Sequence, residues 1–265
     1  MYRKSSNVFA ATALVLHRYG LIAVLAVLAA CGHRAGLDSD LEEAIPAGAA
    51  IVAEANLNQL RGTPLWRAVP QGLLEPFGQA SRLLAAEERN EWLVLARGNL
   101  AQAPAGGRWL APGLAAAGSE RLVAEAAGRR GSIHQANPVV TFARAHAAGS
   151  ALWIAARGGV DLPLSGNYAN LNRLLRDVEY VCLSARLAGN CRLQLTAESG
   201  SEAGAERFEQ TLRAMLSLAA MAEARHEELA GALNRAVVRR DGNRINAELS
   251  GSLETVAKLL GQAPR

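Results

Sequence analysis

Few side chains in this 265-residue chain have the type and spacing that chemistry needs. Its histidines, His17, His33, His134, His146 and His226, are scattered. None stands at a recurrent metal-ligand spacing from another histidine, a cysteine or a carboxylate, apart from the weak run His226-Glu227-Glu228. That run is better explained by two acids complementing a helix N-terminus. No G-x-S-x-G elbow, phosphate loop, dinucleotide glycine pattern, C-x-x-C or H-E-x-x-H is present. A serine nucleophile with distant partners stays open in principle. No catalytic residue, metal ligand or cofactor is assigned from these patterns. The residue whose surroundings do imply a reaction is Cys31, at the end of LIAVLAVLAAC.

The first thirty residues carry Arg3, Lys4 and Arg18 and no acid, and Leu21 to Ala30 is an unbroken apolar run. A basic start, a short apolar core and small residues before a cut site define a secretory signal. The run is shorter than the roughly 20 residues a transmembrane helix needs. Leu28-Ala29-Ala30-Cys31 resembles the lipobox of bacterial lipoproteins. That resemblance implies diacylglyceryl transfer to the Cys31 thiol, cleavage before it and acylation of the new amine. Two or three chains, at about 0.8 kcal/mol per buried methylene, would hold the protein on a membrane. In the same family Gly32, where an aspartate would favour inner-membrane retention, implies the outer membrane in a cell that has two. The expected location is thus a cell membrane or outer membrane, reached by export, with membrane lipid as the partner of acylated Cys31.

Three of the 28 basic residues lie in this leader, so 25 face 24 acidic ones in the remainder. A near-neutral body gives no electrostatic case for nucleic acid. Half of all residues are apolar, which is ample for a packed core.

The organisation expected from the pattern is a signal peptide over 1–30, a tether over 31–45, and two α+β halves over 46–147 and 148–265. In the first half Ala49 to Leu57 suits a strand, and Thr63-Pro64 suits a helix cap followed by proline. Leu73 to Ala86 reads as helix, Glu91 to Leu100 as strand and 101–113 as loop. Ser119 caps a helix, and Asn137-Pro138 opens another that runs to about Ala147. The second half begins with AGSALWIAA, which aligns with AGAAIVAE at an offset of 101, Ile51 on Leu152 and Ala53 on Ile154. Double leucines at Leu83-Leu84 and Leu174-Leu175 extend the likeness, so the halves are expected to be related.

Cys182 and Cys191 lie in a predicted hairpin around Ala188-Gly189-Asn190. Pairing Leu187 with Cys191 puts Val181, Leu183, Ala185, Cys191, Leu193 and Leu195 on one face. Cys182 then falls on the other face, near the far end, too distant for a disulfide. Ser201 to about Ala224 forms a long helix with Ala205, Phe208, Leu212, Met215, Leu216 and Ala219 inward. A helix from Glu227 follows. Asp241-Gly242 makes a hairpin turn that pairs Val238 with Ile245, and Ser252 caps a final helix. The fold class expected is α+β, each half an antiparallel sheet with helices on one face.

Two surfaces are candidates for binding. One is the even face of the first hairpin, with Tyr180, Ser184 and Arg186, which is open if helices cover only the odd face. An ordinary polar sheet surface, or burial against the other half, is the alternative. The other is the basic tip with Arg239, Arg240 and Arg244, suited to lipid head groups or an acidic partner, or simply to guarding a sheet edge with charge. Trp66, Trp92, Trp109 and Trp153 read as packing residues. The function expected is a non-enzymatic binding or scaffolding lipoprotein with an envelope protein partner. The alternatives are an envelope hydrolase with an unrecognised site and a subunit of an envelope complex.

Overall fold

A computed structural model describes residues 38–68, 75–104, 106–129, 136–160 and 175–261. The leader, the lipobox with Cys31, and Leu174 lie outside them. Among the described residues, ten strands form one antiparallel sheet in the order β4-β5-β3-β2-β1-β6-β7-β8-β10-β9. They are β1 Ile51–Asn56, β2 Ala80–Glu88, β3 Glu91–Gly98, β4 Arg108–Ala111, β5 Leu114–Gly118, β6 Leu152–Arg157, β7 Tyr180–Ala188, β8 Asn190–Glu198, β9 Val237–Asp241 and β10 Arg244–Gly251. With its helices this makes the fold α+β.

The helices are α1 Ser39–Glu43, α2 Leu57–Leu60, α3 Pro64–Ala68, α4 Glu120–Arg129, α5 Pro138–His146, α6 Glu202–Ala222, α7 Glu227–Asn234 and α8 Leu253–Gly261. They do not share one side of the sheet. On the face that carries Val52, Leu84, Trp153 and Cys182, the core is completed by Leu41 of α1, Leu122 of α4 and Val140 of α5. On the opposite face Ala55, Leu152 and Cys191 pack with Leu57 of α2 and Val256 of α8. Further along that second face, Ala197 and Ile245 meet Ala205 and Phe208 of α6. Helices on both faces correct the expectation of one-sided packing. The central strands are sandwiched, which is why β1 is buried almost throughout rather than alternating.

The order of strands outward from the junction is the same on each side: β1-β2-β3-β5-β4 in one direction and β6-β7-β8-β10-β9 in the other. At the junction β1 and β6 run antiparallel, with Ala53 opposite Ile154 at the middle of the ladder. Ile51 and Leu152 begin the two strands, and Asn56 and Arg157 end them.

Several local expectations hold in detail. Leu187 pairs with Cys191. Ser119 accepts from Leu122 N, Thr63 from Trp66 N, Ser201 from Gly204 N and Ser252 from Thr255 N. Others do not hold. Residues 108–111, expected in a loop over 101–113, are strand β4. Residues 80–86, expected as the second half of a helix over 73–86, belong to strand β2, which is joined to β3 by Arg89-Asn90 with both residues at positive φ, 54° and 65°. That is the conformation of a type I′ hairpin turn. The second hairpin is shifted: Val238 pairs with Ala247 and Asp241 with Arg244. Gly242 takes the left-handed position at φ 57° as the first central residue. Moving the turn by one residue moves the register by two, so the apolar faces stay aligned.

Candidate functional site

Residues 38–45, expected in the tether, belong to the body. Asp38 caps α1 by accepting from Asp40 N at 3.1 Å. Arg97 of β3 reaches Asp40 at 2.7 Å and Asp38 at 3.7 Å, and Arg144 of α5 pairs with Glu42. Leu41, 0 % exposed, is driven into the core between them. Burying such a side chain is worth about 2–3 kcal/mol, so α1 is a fixed part of the fold.

Close to Asp38 at the cap of α1 lies a buried acid. Glu54 sits in the apolar strand IVAEAN and is 4 % exposed. Arg82 Nη1 donates to its Oε1 at 2.5 Å, and Trp153 Nε1 donates to its Oε2 at 3.2 Å. Arg82 comes from β2 and Trp153 from β6, so the carboxylate joins the three central strands. Burial raises the Glu54 pKa from its ordinary value; Arg82 and the Trp153 hydrogen bond pull the other way, and Asp38 adds a smaller upward push. With each oxygen engaged, the group can hold strands in place and can take up a proton. The sequence signal was a lone acid in an apolar strand; its partners, 28 and 99 residues away, were invisible locally.

Asn137 ties α5 to the segment leading into β1 in a comparable way. Its Oδ1 accepts from Val139 N at 2.8 Å, and its Nδ2 lies 3.0–3.1 Å from the carbonyl oxygens of Pro46, Ala47 and Ala49.

The sequence-derived surface residues are dispersed. Ser184 is 3 % exposed, so the expected open face is closed at its centre, because α5 packs over β6 and β7. Tyr180 stacks on Phe142 of α5 with ring centroids 5.5 Å apart. Arg186 is half-buried and donates to the Ala148 carbonyl. At the hairpin tip Arg240 reaches Glu209 at 3.2 Å and Arg244 reaches Glu198 at 3.8 Å, while Arg239 is exposed. The tip is thus laced by acids rather than uniformly basic.

Cys182 and Cys191 are both buried, one on each face of the sheet, and form no disulfide with each other. Burial pushes the Cys182 thiol up to about 12. His146 packs on Phe142, and His226 Nδ1 lies 2.7 Å from Glu223. His33 and His134 are outside the described residues. Among the described residues no three His, Cys, Asp or Glu side chains converge on a metal-sized site, and no helix is long and apolar enough to cross a membrane. Trp153 is core, but Trp109 on the edge strand β4 is 43 % exposed, which corrects its reading as a packing residue. It borders an open groove of about 470 Å³ formed with Leu110, Ala111, Pro112 and Gly113.

The sequence matches no known protein family, no curated protein and no solved structure.

Proposed function

We propose that the protein is a bacterial lipoprotein, exported and held on a cell membrane or outer membrane through acylated Cys31, whose body binds or organises a partner in the envelope. The observation that carries this reading is the sequence Leu28-Ala29-Ala30-Cys31 at the end of an unbroken apolar run. Cys31 precedes the Asp38 cap of α1 by seven residues, a reach of at most about 25 Å when fully extended. An acylated Cys31 therefore keeps a folded body directly against the bilayer.

The body consists of two related halves. In support, strand order outward from the β1–β6 junction repeats, and the offset of 101 that aligns the two sequence segments maps both ends of β1 onto β6. The same offset carries Ala53 onto Ile154, its direct partner at the middle of the ladder, as a twofold axis through that pair requires. The halves differ in their helices: α6 and α7 are inserted between β8 and β9, where the first half has only a short connection between β3 and β4, and the helix after the last strand packs on one face in the first half (Leu122 of α4) and on the other in the second (Val256 of α8).

A scaffold suits the buried polar groups. Glu54 and Asn137 spend their hydrogen-bonding capacity on strands and carbonyls of the same chain, as fastening groups do. A subunit of an envelope complex is the second reading, favoured by exposed Trp109 and its groove on an edge strand, since aromatic side chains anchor interfaces. Replacing Cys31 with Ser tests the anchor: the protein should move from the membrane fraction to the soluble fraction. Unchanged partition into detergent would contradict acylation.

A further inference from the structure

Two like-charged pairs stand directly opposite each other in neighbouring strands, one on each side of the β1–β6 junction. Glu88 of β2 faces Glu91 of β3, and Arg186 of β7 faces Arg192 of β8. Like charges in this relation destabilise a sheet unless a counter-charge lies between them.

The two pairs occupy matching places. The row through Ala53 and Ile154 continues to Ala85 and Val94 on one side and to Leu183 and Leu195 on the other. Three residues on from Ala85 comes Glu88, and three on from Leu183 comes Arg186. Three back from Val94 is Glu91, and three back from Leu195 is Arg192. Side-chain alternation puts all four on the face that carries Leu84 and Cys182. A twofold axis through the Ala53–Ile154 pair thus carries one repulsive pair onto the other, with the sign of the charge reversed.

On the first side the repulsion is answered from within the chain. Arg121 of α4 puts Nη1 2.8 Å from Glu88 and Nε 2.5 Å from Glu91, bridging both carboxylates. It can do so because α4 packs on this face, through Leu122. On the second side the counterpart helix α8 lies on the opposite face, as do α6 and α7 where they meet β8 and β10. Glu248 reaches Arg192 alone, at 3.1 Å. Arg186 is half-buried; its Nη2 donates to the Ala148 carbonyl, and its Nε is buried with no hydrogen-bond partner. Among the described residues no carboxylate pairs with Arg186, and none bridges the two guanidinium groups. A guanidinium left short of partners beside a second one is a place where an anion binds.

We infer that Arg186 and Arg192 form a binding site for a carboxylate, an Asp or Glu side chain on a partner protein. That carboxylate takes the place that the Arg121 guanidinium holds on the first side, with the signs exchanged. Two guanidinium groups less the Glu248 carboxylate leave one positive charge, which suits a single carboxylate better than a phosphate dianion. Two neighbouring arginines grip such a group with several charge-assisted N–H···O bonds. Around the site this face carries Gln194, Asn246 and Glu248, so water covers it between encounters and charge leads the recognition. The inference rests on the proposed partner-binding role and names the chemistry of that partner.

The test titrates hexaglutamate into the full acylated protein in detergent, with nitrogen-15 in its arginine side chains. The Nε–H signals of Arg186 and Arg192 should move, while that of exposed Arg225, in the link between α6 and α7, stays in place. Arg186→Gln with Arg192→Gln should weaken the binding about tenfold. The double variant removes a repulsion, so it should keep the Tm of the natural chain. Equal movement at Arg225, or binding that the double variant leaves unchanged, would overturn the inference. Tighter binding of inorganic phosphate than of hexaglutamate would overturn it in favour of a phosphate ligand. In intact cells a photo-cross-linker at Gln194 should join a partner to the natural chain and not to the double variant. A partner caught equally by both would sink the site and leave the partner-binding role standing. Hexaglutamate bound at Arg186 and Arg192 with no partner caught would sink that role and leave the carboxylate site standing.

Discussion

The indole of Trp153 donates to Glu54 across the β1–β6 ladder, so the seam between the two sides of the sheet is closed by a buried charge as well as by backbone pairing. Because burial raises the Glu54 pKa, the folded chain holds a proton there at a pH where the unfolded chain has lost it. This group's contribution to stability is fully present below the ordinary carboxylate range and is lost as pH rises through the folded value. The difference in Tm between the natural chain and Glu54→Gln should therefore shift in favour of the natural chain on acidification from neutrality. A shift in the other direction would mean that Arg82, not desolvation, dominates. Glu54→Ala, which removes one partner of a buried ion pair and the acceptor of the indole, should cost about 3–5 kcal/mol, measured by denaturant unfolding.

Asn137 serves as a helix cap and as a donor to three carbonyls of the segment leading into β1. Asn137→Asp keeps the cap acceptor but aims a carboxylate at those oxygens, whereas Asn137→Ser keeps a cap and removes only the donor. Equilibrium unfolding should find the aspartate variant the less stable of the two, with losses of about 1–3 kcal/mol for the serine variant. No loss in either variant would show that the cap alone matters.

Arg89 and Asn90 turn the β2–β3 hairpin with two left-handed residues, of which only the asparagine tolerates that conformation readily. Arg89→Asn should stabilise the protein by about 0.5–1 kcal/mol, seen as a raised Tm. A neutral or negative effect would place the turn in a different conformation.

This hairpin also shows where the sequence was legible. SRLLAAEE has strong intrinsic helix formers and a double leucine, yet residues 80–88 pair between β1 and β3, and long-range strand pairing overrides local propensity. Arg-Asn is not among the dipeptides that announce a type I′ turn. Ala188-Gly189-Asn190, flanked by clean alternation, announced its hairpin and its register. The helices opened by Ser119, Asn137, Ser201 and Ser252 were readable because their caps are local. β4 and the alanine-rich β5 are short strands that find their partners only in the assembled sheet. Helices on both faces could not be foreseen, since apolar periodicity shows which side of a helix is buried but not which side of a sheet receives it. The Glu54 cluster escaped for a similar reason: its members meet only after three strands are aligned.

The account depends most on the chemistry at Cys31. Intact-mass and peptide mass spectrometry of the protein taken from its native membranes should find an N-terminus at Cys31 carrying diacylglycerol, with the preceding thirty residues removed. A peptide that runs unbroken through Ala30-Cys31 with an unmodified thiol would contradict it.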